Sequence, residues 1–145
     1  MRLFSRIALV GLAVALLAGC GGLFGLILGR DLGIQQVSVS SGSSLEQVLI
    51  QFANYGGSER NVEFAIVISA DDTVTLADTI IYEGTFDITF NSSEQITVTR
   101  TEIDGWLTTQ PSPGGYYYGV FVDPYDEISE TSEADNYEDG GYHSF

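Results

Sequence analysis

In the stretch Tyr116-Tyr117-Tyr118-Gly119-Val120-Phe121-Val122-Asp123-Pro124, the residues Tyr116, Tyr118, Val120 and Val122 recur at every second position. A β-strand turns successive side chains to opposite faces, so a period of two places these four on one side. Pro124 closes the run, because proline has no N–H to give to a sheet ladder. An eight-residue strand with a fully apolar face needs a second apolar layer to cover it.

Moving upstream, the same pattern repeats. Gln95–Arg100 aligns Ile96 with Val98, and Asn91-Ser92-Ser93 turns the chain before it. Thr79–Glu83 and Thr85–Phe90 read as two short strands on either side of Gly84. Val62–Ser69 gathers Val62, Phe64, Ile66 and Ile68 on one face with Glu63 opposite, and Asp71-Asp72 ends it. Leu45–Phe52 aligns Val48, Ile50 and Phe52 against Gln47 and Gln51, and Asn54-Tyr55-Gly56-Gly57 turns the chain. Ile34–Ser40 alternates Val37 and Val39 with polar neighbours. Between Arg100 and Gly115 lies a long loop with Trp106, Pro111 and Pro113, where Trp106 is expected to act as a lid over the core. Downstream of Pro124 the chain is acidic and polar until Tyr142-His143-Ser144-Phe145, which adds a last short strand. No helical period of useful length appears after Ile34. The expected fold is all-β: a seven- to eight-stranded antiparallel immunoglobulin-like β-sandwich over residues 32–145.

The N-terminus has a different grammar. Arg2 and Arg6 precede an uncharged apolar run, Ile7 to Leu17, which closes on Leu17-Ala18-Gly19-Cys20. A basic start, a short apolar stretch and small residues before a cut form the pattern of an export signal. The LAGC string resembles the lipobox of bacterial lipoproteins, and the resemblance implies lipidation of Cys20, the chain's only cysteine. Residues 1–19 then read as signal peptide and residues 20–31 as a lipidated cysteine with a Gly-rich tether. Ile7 to Gly29 is also a continuous uncharged stretch long enough to span a bilayer, so an uncleaved transmembrane anchor is the alternative. Either way the domain is exported and membrane-tethered. The absence of Asp after Cys20 favours the outer membrane or cell surface.

Three segments read together resemble a known family. Asn54-Tyr55-Gly56 is similar to the turn after a strand in bacterial immunoglobulin-like modules. Ile66-Val67-Ile68-Ser69-Ala70-Asp71 and Asp78-Thr79-Ile80-Ile81 resemble a later strand and its successor. Pro113 to Pro124, continuing through Ile128-Ser129-Glu130 and Glu133-Ala134-Asp135-Asn136, resembles the ending of the CARDB domain, the cell-adhesion-related domain found in bacteria. The family has Asn where Asp135 stands and a full final strand where only Gly141 to Phe145 is expected here. The resemblance implies a seven-stranded building block of exported proteins with no catalytic residues.

Charge limits the partners. The chain holds 20 Asp+Glu against five arginines, a formal charge of −15 at pH 7, and it has no lysine. Such a surface repels phosphate backbones, which excludes nucleic acid as a partner class. An envelope or cell-surface protein or a polysaccharide is compatible, and so are divalent cations. Calcium takes six to eight oxygen ligands in flexible geometry. The oxygens cluster in two places: Asp71, Asp72 and Asp78 in one loop, and Asp123, Asp126 and Glu127, followed by Glu130, Glu133, Asp135 and Asn136, in another. The first six are the calcium candidates, although their spacing matches no EF-hand and solvated acidic turns are the simpler explanation. An enzyme is not expected. The one histidine, His143, stands near the C-terminus, and the only thiol is committed to the anchor. Tyr116, Tyr117, Tyr118, Tyr125, Tyr137 and Tyr142 could stack on sugars, but Tyr116 and Tyr118 read as core. Tyr116 resembles the tyrosine that ties down a neighbouring loop in such sandwiches. The expected role is a non-enzymatic interaction module of the adhesion type, with a calcium- or polysaccharide-binding domain as the alternative and an envelope enzyme behind both.

Overall fold

The computed structural model describes residues 29–145. The signal, Cys20 and most of the tether lie outside them. Among the described residues, no helix is long and apolar enough to cross a membrane.

Seven strands follow in chain order: β1 (Leu32–Ser41), β2 (Leu45–Asn54), β3 (Glu59–Ser69), β4 (Thr79–Ile88), β5 (Ser92–Thr99), β6 (Gly115–Val122) and β7 (Tyr137–Ser144). A short helix, α1 (Arg100–Trp106), joins β5 to β6. Every pairing is antiparallel, and the strands form two sheets ordered β1-β2-β5 and β4-β3-β6-β7. The chain changes sheet between β2 and β3, again between β4 and β5, and again through α1. These crossings make an immunoglobulin-like sandwich rather than a meander.

The alternation predicts the core well. Val48, Ile50 and Phe52 from one sheet meet Val62, Phe64, Ile66, Ile68, Tyr118, Val120 and Val122 from the other, all buried. Phe52 stacks on Phe86 at 4.3 Å between ring centroids and tilts against Phe64 at 5.4 Å, so three phenylalanines clasp the sheets together. Removing each such ring from water contributes roughly 1.5–3 kcal/mol. Ala65 and Val67 are buried as well, because β3 sits between β4 and β6 and its outer face is covered too.

Three elements depart from the sequence reading. The two short strands expected around Gly84 are one continuous strand, β4. Gly84 does not break it; a Cβ there would lie 2.7 Å from Cε1 of Phe64, so the glycine makes room for a core ring. The loop expected after Arg100 begins as α1. Its N-cap is Thr99, whose side chain accepts from the Glu102 N–H while the Glu102 carboxylate accepts from the Thr99 N–H at 2.7 Å. This reciprocal capping box was written in Thr99-x-x-Glu102, but seven residues are too few for a visible helical period. Trp106 is therefore at a helix end, 39% exposed and tilted towards Tyr82, and Ile103 is the residue that α1 buries.

The final strand is not short. β7 runs eight residues and pairs with β6 from Gly115↔Ser144 to Phe121↔Tyr137. Tyr137-Glu138-Asp139-Gly140-Gly141 has almost no strand propensity of its own, and the backbone ladder of the apolar β6 imposes the conformation. The pairing slips between Tyr118 and Gly119, opposite Gly141 at φ +82°. A side chain at Gly140 would press on Val37, Val39 and Tyr118, each about 3.1–3.2 Å away, so this bulge lets β7 lie against β1 of the other sheet. His143 fastens the same contact, with Nδ1 3.2 Å from Ser41 Oγ and Nε2 3.0 Å from the Gly140 carbonyl.

Candidate functional site

The two acidic clusters lie in loops that leave opposite ends of the β3–β6 pair, one after Ser69 and one after Val122, and they are built differently. In the β3–β4 loop, Asp71 accepts from the Thr73 N–H at 3.0 Å. Asp78 accepts from the Thr75 N–H at 2.8 Å and the Thr75 hydroxyl at 2.9 Å. The buried Ser69 hydroxyl reaches both carboxylates, at 3.4 Å and 3.2 Å. The donors from Thr75 hold the Asp78 carboxyl below its usual range. Asp72 is exposed. Asp71 and Asp78 thus serve the loop's own backbone.

Asp123 also builds a loop. It is buried at φ +45°, where β6 ends, and its N–H donates to the Glu63 carbonyl at 2.8 Å. Its carboxylate accepts from the N–H groups of Glu127 at 3.1 Å and Ile128 at 2.8 Å. Asp126, at φ +54°, closes the turn with its N–H on the Asp123 carbonyl, and Asp126 and Glu127 are exposed. The six predicted calcium ligands are therefore not gathered around one point. Among the described residues, no three His, Cys, Asp or Glu side chains form a ready metal cage.

A different group of oxygens does converge, at the junction between the β6–β7 loop and the start of β1. The Glu130 carboxylate accepts from the Leu32 N–H and, at 3.3 Å, from the Asn136 side-chain amide. The same amide donates to Glu133 at 2.5 Å, and Glu133 accepts from the Glu130 N–H at 3.2 Å. The Ile34 N–H donates to the Asp135 carbonyl at 3.0 Å, and Thr131 N–H to the Arg30 carbonyl at 2.7 Å. Gly33 leaves room for the Asp135 carboxylate, one oxygen of which would lie 2.6 Å from a Cβ at that position. Among the described residues, three side-chain oxygens, Oδ1 of Asp135 and Asn136 in this loop and of Asp31 just before β1, are buried without a hydrogen-bond partner. Such atoms are rare and costly, since each forfeits its bonds to water. Burial, with the negative charges of Glu133 and Asp123 adding to it, pushes the Glu130 carboxyl up to about 7 despite the bonds from Leu32 and Asn136. A hollow of about 350 Å³ opens beside the junction, lined by Leu76, Asp123, Asp126, Glu133, Asn136 and Tyr137. Glu130, Glu133, Asp135 and Asn136 were visible as a sequence cluster. Leu32, whose N–H the Glu130 carboxylate holds, was not, because only the fold brings β1 to them.

The tyrosines divide as their strand positions imply. Tyr118 is buried, with its hydroxyl on the Ser144 carbonyl, and burial raises its pKa strongly. Tyr116 donates to the Ser112 carbonyl at 2.9 Å, which ties the preceding loop to its strand. Tyr117 with Tyr142 and Phe121 with Tyr137 are cross-strand pairs on β6 and β7, at 5.0 and 4.8 Å.

No family model and no curated protein matches this chain. Solved structures do. The crystal structure of the CARDB domain of the PF1109 protein from Pyrococcus furiosus, in complex with di-metal ions, superposes with a TM-score of 0.58. It is 17% identical and covers 81% of this chain and 94% of that one. The solution structure of the same domain gives a TM-score of 0.52 at 18% identity, covering 79% and 92%. The fold is CARDB-like.

Proposed function

We propose that this protein is an exported, membrane-tethered, non-enzymatic interaction module of the adhesion type. The observation that carries this reading is the CARDB-like sandwich itself, in which Asp71, Asp78 and Asp123 hold backbone N–H groups of their own loops. His143, the chain's one histidine, is engaged through both ring nitrogens, Nδ1 with Ser41 of β1 and Nε2 with the Gly140 carbonyl of its own strand. Cys20 would carry the lipid, and the partner would be an envelope or cell-surface protein or a polysaccharide. The test is fractionation of the producing cell, intact-mass analysis of the mature N-terminus and in-cell crosslinking. An acylated Cys20 in the envelope fraction with a reproducible crosslinked partner is expected. A soluble, unacylated chain with no partner would overturn the reading.

A second reading is favoured by the three unpartnered oxygens: the junction takes a divalent cation, calcium being the hard-ligand choice. The related CARDB domain was crystallised with di-metal ions. Here Glu130, Glu133 and Asn136, already joined by hydrogen bonds, would supply oxygens with Asp135 moving in beside them, and the ion would neutralise their mutual repulsion and lock β1 to the β6–β7 loop. A ligand that binds only the folded state raises its melting temperature. Calcium in excess over a chelator should therefore raise the melting temperature by several degrees, and Asp135→Ala should remove the increment. Identical melting in calcium and chelator would eliminate the cation.

A further inference from the structure

On the outer face of the four-stranded sheet, β3 and β4 pair Glu63 with Thr85, Phe64 with Gly84 and Ala65 with Glu83. The Phe64 ring is buried and the space a Gly84 side chain would fill lies against it, so both are directed to the core. Ala65 is small. The sheet surface between Glu63 and Glu83 is thus left low, and a hollow of about 210 Å³ lies there, walled by Pro124 and Tyr125. The wall is firmly held: the Asp123–Asp126 turn that presents it hangs from the Glu63 carbonyl and is stapled by the Asp123 carboxylate.

Tyr125 is 55% exposed although it is a large aromatic residue, and its hydroxyl donates to Glu83. Both Glu83 and Glu63 act on that hydroxyl by their charge. Among the described residues, the ion pairs are Arg30–Glu59 and Arg100–Asp104, so neither hollow carboxylate has a cationic partner. The volume is below the roughly 300 Å³ at which small-molecule sites begin, and suits a single inserted side chain. Two carboxylates beside an open aromatic ring complement a planar cation, which can donate forked N–H bonds to the carboxylates while stacking on the ring. Lysine, a point charge, would use the carboxylates but not the ring in this way.

We propose that the hollow bounded by Tyr125, Glu63 and Glu83 receives an arginine side chain from a basic segment of a partner protein. This assignment rests on the interaction-module reading and names the chemistry of the contact. It is tested on the full chain in detergent micelles, labelled with ¹³C at tyrosine, by titration with N-acetyl-arginine amide. The Tyr125 ring signal should move saturably. N-acetyl-citrulline amide, which keeps the planar end and loses the charge, should need roughly tenfold more. The double variant Glu63→Gln/Glu83→Gln should abolish the shift. Asp72→Asn/Glu94→Gln, an equal loss of charge at exposed sites elsewhere, should retain it. A motionless Tyr125 ring, equal binding of citrulline, or equal weakening by the distant charge pair would each overturn the proposal. Arginine binding at Tyr125 supports it whatever the cell fractionation gives, so the two readings fail separately.

Discussion

The β3–β4 loop and the junction of β1 with the β6–β7 loop are both acidic, yet their electrostatics run in opposite directions. In the first, Thr75 and Ser69 surround Asp78 with donors and its pKa falls. In the second, Glu130 is half-buried among other acids, two donors do not compensate, and its pKa rises to about 7. Asp31, Asp135 and Asn136 add buried oxygens without donors. An acid count is therefore a poor guide to a site. What separates the two groups of carboxylates is whether the fold supplies them with N–H and O–H groups.

The largest expected effect tests whether the junction depends on the turn beside it. Asp123→Ala would leave the part-buried N–H groups of Glu127 and Ile128 without their charged acceptor, at a cost of about 2 kcal/mol in chemical denaturation. A loss below half of that would mean that Asp123 is as dispensable as an exposed acid.

Next is the pH dependence of the junction, measured in chelator. Because the folded-state pKa of Glu130 is raised, the folded chain keeps a proton that the unfolded chain releases between the ordinary carboxylate range and about pH 7. Stability should fall as pH rises through that window. Glu130→Gln should stabilise by about 1 kcal/mol at pH 8, a figure reduced for solvent screening of a half-buried group, and do little at pH 5. A variant with the same pH profile as the parent would erase the contrast between the two loops.

A smaller effect is expected at α1, where a carboxylate is again well supplied. Thr99→Ala should cost about 1 kcal/mol through loss of the N-cap, leaving the β-sheet circular-dichroism signal intact.

The smallest effect falls on the β3–β4 loop. Asp78→Asn should lower the melting temperature slightly at neutral pH. Since the Asp78 pKa is lowered by folding, that difference should vanish as pH falls through its folded value, opposite in sign to Glu130. A difference that grows in acid would show that Asp78 is not held by its donors.

Local pattern settled a great deal. The period of two in Val48-x-Ile50-x-Phe52, Phe64-x-Ile66-x-Ile68 and Tyr118-x-Val120-x-Val122 named the buried faces, and with them the sandwich. Asn54 was read as a turn residue, and its amide and carbonyl bind Gly57, Thr89 and Gly56. Tyr116 was read as a loop tie, and it holds Ser112. Each of these depends on neighbours within a few residues or on burial alone.

Tertiary structure decided the rest. Gly84 looked like a strand break because its reason, the Phe64 ring, comes from another strand. Tyr137 to Gly141 looked like an acidic tail because its conformation is imposed by the ladder of β6. The junction joins the Leu32 N–H to Glu130, 98 positions away, and exists only once β1 has docked. Periodicity is a property of one segment, whereas desolvation and donor supply belong to surfaces that meet only after the two sheets close on each other.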